Sequence, residues 1–108
     1  MECSIRLVRG DCSRVRRRWS GGVADIAAGR FEFLTYMPPG VRIRHPFRKR
    51  LTLHVLAVAT AGRRPRASAW GLGRNTVIVS LEIAGGTVEA AVPESSCAWF
   101  VATLAPAP

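Results

Sequence analysis

Past Arg74 the chain has no basic residue, and in all of its 108 residues it has a single lysine, Lys49. Residues 1–74 carry 16 Arg and Lys against four acids (Glu2, Asp11, Asp25, Glu32), a net +12. Residues 75–108 carry Glu82, Glu89 and Glu94 and no base, a net −3. Charge this one-sided favours an anionic partner or an anionic surface. Fifteen arginines beside one lysine, with abundant Ala, Gly and Val, also fit the coding bias of a GC-rich genome, which would leave the same residues as a merely solvated basic face. Both readings stay open at this level.

Other scarcities exclude more. The seven acids are scattered, and His45 and His54 have no Asp, Glu or Cys at metal-ligand spacing. Neither histidine has an evident orienting carboxylate. No G-x-S-x-G elbow occurs, and Gly21-Gly22 and Gly71-Leu72-Gly73-Arg74 match neither a P-loop nor a dinucleotide fingerprint. The expectation is a non-enzyme with no metal and no cofactor. Cys3, Cys12 and Cys97 are odd in number, so they cannot form a fully paired disulfide scaffold, and a reducing compartment fits. No run reaches the roughly 18 apolar residues of a membrane span, and the N-terminus lacks the apolar segment of a signal peptide. An apolar fraction of 48% argues against disorder, and the length fits one domain.

What is present reads as short strands and one helix. Residues 1–18 read as a basic arm, since Arg14, Arg16, Arg17 and Arg18 fall within five positions and Trp19 closes the cluster. Ile5, Leu7 and Val8 allow at most a short strand there. Val23 to Ala27 and Arg30 to Tyr36 are strand candidates joined at Ala28-Gly29, with Phe31 and Phe33 on one face. Met37-Pro38-Pro39-Gly40 breaks the chain. Val41-Arg42-Ile43-Arg44 alternates, with both arginines outward. Pro46 precedes Arg48-Lys49-Arg50, read as a flanking turn. Leu51 to Thr60 is a strong strand with its second face partly covered, and residues 61–74 form a loop around Trp70. Thr76 to Ile83, a turn at Gly85-Gly86, and Thr87 to Val92 complete the strands. Ser95 or Ser96 can cap a helix to about Leu104, where Cys97, Phe100, Val101 and Leu104 form one stripe.

The expected architecture is mainly β: a small antiparallel barrel, or orthogonal sheets, of six to seven strands closed by one C-terminal helix. An OB- or SH3-like small barrel is the alternative. The expected layout is an arm over 1–18, a domain over 19–105 and a tail over 106–108.

Strands followed by one C-terminal helix resemble the pleckstrin-homology-like superfold. The chain also resembles a small actinobacterial family of uncharacterised PH-like proteins. The matching stretches are Arg14 to Trp19 with Gly21-Gly22-Val23-Ala24, then Phe31-Glu32-Phe33, Pro39-Gly40, Arg63-Arg64-Pro65, and Val88 to Val92 leading into Trp99-Phe100. In that family a membrane helix precedes the basic stretch; the resemblance leaves open a chain that starts late relative to its relatives or one that has lost the anchor, and Arg14 to Arg18 resembles the cytoplasmic flank such a helix would leave. Phosphoinositide-reading members of the superfold crowd Lys and Arg around their first hairpin, where this chain offers only Arg30.

The anion-contacting candidates are Arg14, Arg16, Arg17, Arg18, Arg42, Arg44, Arg48, Lys49 and Arg50, since guanidinium groups match phosphate and carboxylate bidentately. Arg63, Arg64, Arg66 and Trp70 are secondary candidates. Trp99 reads as core or rim packing, and Trp19 as a residue for a membrane interface. The functional expectation is a PH-like binding or scaffold module, cytoplasmic or at the inner face of the membrane, contacting anionic lipid or an acidic protein partner. Nucleic acid ranks lower. The charge would bind it non-specifically at low salt, but no helix-turn-helix, zinc finger or RNP aromatics accompany it.

Overall fold

Cys3, Ile5 and Leu7 alternate with Glu2, Ser4 and Arg6, and that period of two makes the start of the chain a strand. The computed structural model describes residues 1–12, 15–36, 47–59, 62 and 75–107, without the side chains of residues 36 and 47–49. In order it holds β1 (Glu2–Gly10), β2 (Ser20–Ala27), β3 (Arg30–Tyr36), β4 (Phe47–Val58), β5 (Thr76–Ile83) and β6 (Gly86–Pro93). A 3-10 turn over Glu94–Ser96 then leads into α1 (Cys97–Leu104).

Each strand pairs antiparallel with the next, and β1 also pairs with β6, so the six-stranded sheet closes on itself. The register is continuous from Ser4↔Ala91 to Leu7↔Val88, then shifts by a bulge between Leu7 and Arg9. Gly10 ends β1 at φ +92° against Gly85 and Gly86 of the β5–β6 turn. A side chain at Gly10 would run into the Gly85 carbonyl. The strands thus meet backbone to backbone at a place only glycine allows.

The inward rows form one core of Cys3, Ile5, Leu7, Phe31, Phe33, Leu51, Leu53 and Val55 with Val77, Val79, Leu81 and Ile83 of β5 and Val88, Ala90 and Val92 of β6. α1 closes it. Phe100 and Leu104 are fully buried, and the Phe100 ring meets Phe31 edge-on at 6.2 Å. Phe31 in turn stacks on Phe33 at 5.9 Å. Eight residues are too few for a helix that stands alone, so packing holds this one. Its last turn is also fixed by backbone: Gly29 N–H donates to the Leu104 carbonyl at 2.9 Å, and Val55 N–H donates to the Gly29 carbonyl at 2.8 Å. The tight β2–β3 turn, with Gly29 at φ +68°, is therefore clamped between α1 and β4.

These observations correct several expectations. The expected six to seven strands are six, in one antiparallel sheet closed by the C-terminal helix, and the expected arm over 1–18 gives way to a strand, since residues 2–10 are a full member of that sheet. β1 is held on both sides by ladder bonds, so the nearby arginines do not make it an arm. Arg48-Lys49-Arg50 lie within β4, not in a flanking turn. The second face of β4 is open: Thr52, His54 and Leu56 are all exposed. A bulge between Val55 and Ala57 breaks the inward row there, which takes Ala57 out of the core. Ser95 and Ser96 make no side-chain cap, because the 3-10 turn starts the helix instead. The strand expected over Val41 to Arg44 and the loop over 61–74, apart from Gly62, lie outside the described residues. No helix among the described residues is long and apolar enough to cross a membrane.

Phe100→Ala is expected to lower the unfolding free energy by about 3–5 kcal/mol, the range for emptying a fully buried aromatic site. Urea titration followed by far-ultraviolet circular dichroism measures it, and a loss below about 1 kcal/mol would mean that α1 does not close the core.

Candidate anion-contacting surface

Arginines of the described residues fall into two groups, those matched by acids and those left unmatched. Arg6 sits outward on β1 directly across from Glu89 of β6. Its Nε and one terminal nitrogen donate to a single Glu89 carboxylate oxygen at 2.9 and 2.7 Å. Glu89 is only 4% exposed, so its charge is compensated where water cannot do so. The Arg6 guanidinium also lies 4.7 Å from the Trp19 ring centroid, a cation–π contact. Next to it, Arg9 reaches Thr87 Oγ1 at 3.3 Å and Glu82 at 3.9 Å, and the Thr87 hydroxyl donates to Glu82. Arg50 on β4 pairs with Glu32 on β3 at 3.1 Å.

Of the arginines without an acid, Arg30 stands exposed at the start of β3, and the others cluster in the connection from β1 to β2. Val15 is buried in the core, and the Arg16 carbonyl accepts from Leu7 N–H at 2.8 Å. The connection is thereby tied to β1 from beneath. Arg16, Arg17 and Arg18 follow in an exposed row, and Trp19 then packs on Arg6. Arg17 folds back, donating to the Val8 and Gly10 carbonyls at 3.4 Å each. The guanidinium groups of Arg16 and Arg18 have no hydrogen-bond or ionic partner among the described residues.

Of the candidates read from sequence, the structure places Arg16, Arg17 and Arg18 together on this turn and sets Arg50 on β4, matched by Glu32. Arg48 and Lys49 belong to β4, with side chains outside the description. Arg14, Arg42, Arg44, Arg63, Arg64, Arg66 and Trp70 lie outside the described residues. Trp99 is not a core residue: it is 55% exposed on α1, because the buried stripe runs through Phe100 and Leu104. Sequence reading missed the Arg6–Glu89–Trp19 cluster. The available signal was the outward row of β1 and the lone acid between Val88 and Ala90, which needs a strand pairing before it becomes a contact.

The remaining chemistry is sparse. Among the described residues no group of three or more His, Cys, Asp or Glu could hold a metal. His54 is exposed opposite Arg30. Cys12 and Cys97 are half-buried free thiols, and burial pushes the Cys3 thiol up to about 12 against the favourable pull of the chain's amino group. A thiol so far from ionising is a packing group, not a nucleophile. No protein-family model matches the chain, and no curated protein or solved structure matches it significantly.

Cys3 also sets a pH dependence. Its folded pKa of about 12 stands above the ordinary 9.0, so the folded state keeps a proton that the unfolded chain loses. That contribution is complete below about pH 9 and is lost as pH rises from 9 toward 12. The urea midpoint of the wild type is expected to fall more steeply than that of Cys3→Ala over this window. Parallel pH profiles would show that the thiol ionises freely in the fold.

Proposed function

We propose that this protein is a non-catalytic binding module that attaches reversibly to an anionic surface through its β1–β2 turn. The observation that carries the reading is a row of three exposed arginines, Arg16, Arg17 and Arg18, on a backbone fixed by buried Val15 below and by Trp19 after it. Clustered positive charge on one turn costs self-repulsion unless an anion relieves it. A preformed turn also loses little freedom on binding. Guanidinium groups suit phosphate and carboxylate oxygens, so an anionic bilayer or an acidic protein partner would be engaged by the same chemistry.

The PH-like reading of the fold belongs to this proposal. Its support is the element order, six antiparallel strands followed by a helix whose Phe100 and Leu104 enter the core. A packed terminal helix is the feature that distinguishes this reading from a bare OB- or SH3-like arrangement. The site favoured here is the β1–β2 turn, and the proposed setting is the cytoplasmic side.

The attachment is expected to be weak and salt-sensitive. Each arginine near an anionic leaflet contributes about 1 kcal/mol, and the attraction fades within a Debye length of about 8 Å at physiological salt. Co-sedimentation with vesicles containing phosphatidylserine should pellet the protein in low salt, and recovery should fall as salt rises. Vesicles of phosphatidylcholine alone should leave it in the supernatant. The triple variant Arg16→Ser, Arg17→Ser, Arg18→Ser should lose most of the binding. Equal recovery on both kinds of vesicle would end the reading; binding to acidic polypeptide with none to either vesicle would move it to a protein partner.

A further inference from the structure

We infer that the turn divides its residues by role: Arg16 and Arg18 contact an anionic bilayer from outside, while Arg17 and Trp19 hold the turn on the sheet and do not enter the membrane. The inference rests on the proposed attachment to an anionic surface and specifies how that attachment works.

Alternate side chains of the turn meet different surroundings. Arg17 spends its two terminal nitrogens on the Val8 and Gly10 carbonyls of β1. Trp19 lies over the Arg6 guanidinium, which is itself held by buried Glu89. Both therefore point back to β1, and both are tied to the strand that closes the sheet. Arg16 and Arg18, between and beside them, have no partner among the described residues. A tryptophan next to a basic run would ordinarily read as an interfacial anchor. Here that ring is already occupied by a cation. Withdrawing it would uncover the Arg6–Glu89 pair, one half of which is almost fully buried.

The same geometry favours a bilayer over a folded protein as the occupant. Protein interfaces draw their strength from a few apolar or aromatic anchors that fill pockets. The large exposed apolar side chains among the described residues, Val8, Leu56 and Trp99, are spread over β1, β4 and α1. A leaflet of anionic headgroups needs no such anchor, only charge held at its surface.

The experiment uses the full chain with Trp70→Phe and Trp99→Phe, which leaves Trp19 as its one tryptophan. It is mixed with phosphatidylserine vesicles whose acyl chains carry bromine, a quencher confined to the hydrocarbon. The protein should pellet with the vesicles while Trp19 emission keeps its wavelength and intensity. In the unaltered chain, Arg16→Gln and Arg18→Gln should each weaken partitioning about fivefold, the change that corresponds to roughly 1 kcal/mol per arginine. Arg17→Gln should weaken it measurably but less than either, since its charge adds to the attraction although its guanidinium is turned back to β1. Quenching of Trp19 in bound protein, or an Arg17→Gln loss equal to the other two, would overturn the inference while leaving the attachment itself standing. Absence of vesicle binding by the unaltered chain would instead refute the attachment, and the inference with it.

Discussion

Pairing of β1 with β6 is the contact on which the rest of the structure depends. Without it, both strands would present rows of unpaired backbone groups, and inward Ile5 and Leu7 would lose their places opposite Ala90 and Val88. Side chains reinforce the ladder at two points on the outer face. Arg6 and Glu89 form a short charged pair across the seam, and Arg9, Thr87 and Glu82 form a looser network one step along it. The buried carboxylate matters more for position than for energy. Removing its partner would leave a charge with little water around it, so register slips at this seam are strongly disfavoured.

Closure also decides where the charge goes. β6 begins beside the β5–β6 turn, where Asp11 N–H bonds the Gly85 carbonyl, and it ends at the helix. The arginine turn leaves β1 near the first of these points and is tied back to it through Leu7, Val8 and Gly10. The helix lies at the other, locked by Phe100 and by the Gly29 clamp on Leu104. One end of β6 is therefore given over to packing. The other carries a row of exposed arginines whose backbone is held by the seam itself.

Much of this was legible where alternation was uninterrupted. Arg30 to Tyr36 and Thr76 to Ile83 have the same bounds in the structure as in the sequence reading, and the stripe through Phe100 and Leu104 is buried as its helical spacing requires. β1 was misjudged because the arginine run after it dominates local composition, whereas three inward residues with a partner strand are enough to make a strand. β4 starts four residues before its apolar pattern because an edge of the ladder tolerates Arg48, Lys49 and Arg50. Ile78, Glu89 and Ala91 are buried although alternation points them outward, and one-dimensional periodicity cannot reveal a covered outer face. The division of the arginines into matched and unmatched was beyond the sequence for the same reason. Arg6 and Glu89 are 83 positions apart and become neighbours only when the sheet closes.

The central claim is that residues 2–10 are a structural strand and not a free basic arm. Native-state amide hydrogen exchange tests it most directly. The β1 amides that bond across the β1–β6 seam should exchange as slowly as those of β6, through the same global unfolding. Exchange of β1 at the rate of an unstructured segment, with β6 still protected, would contradict it and return the arginines to a loose arm.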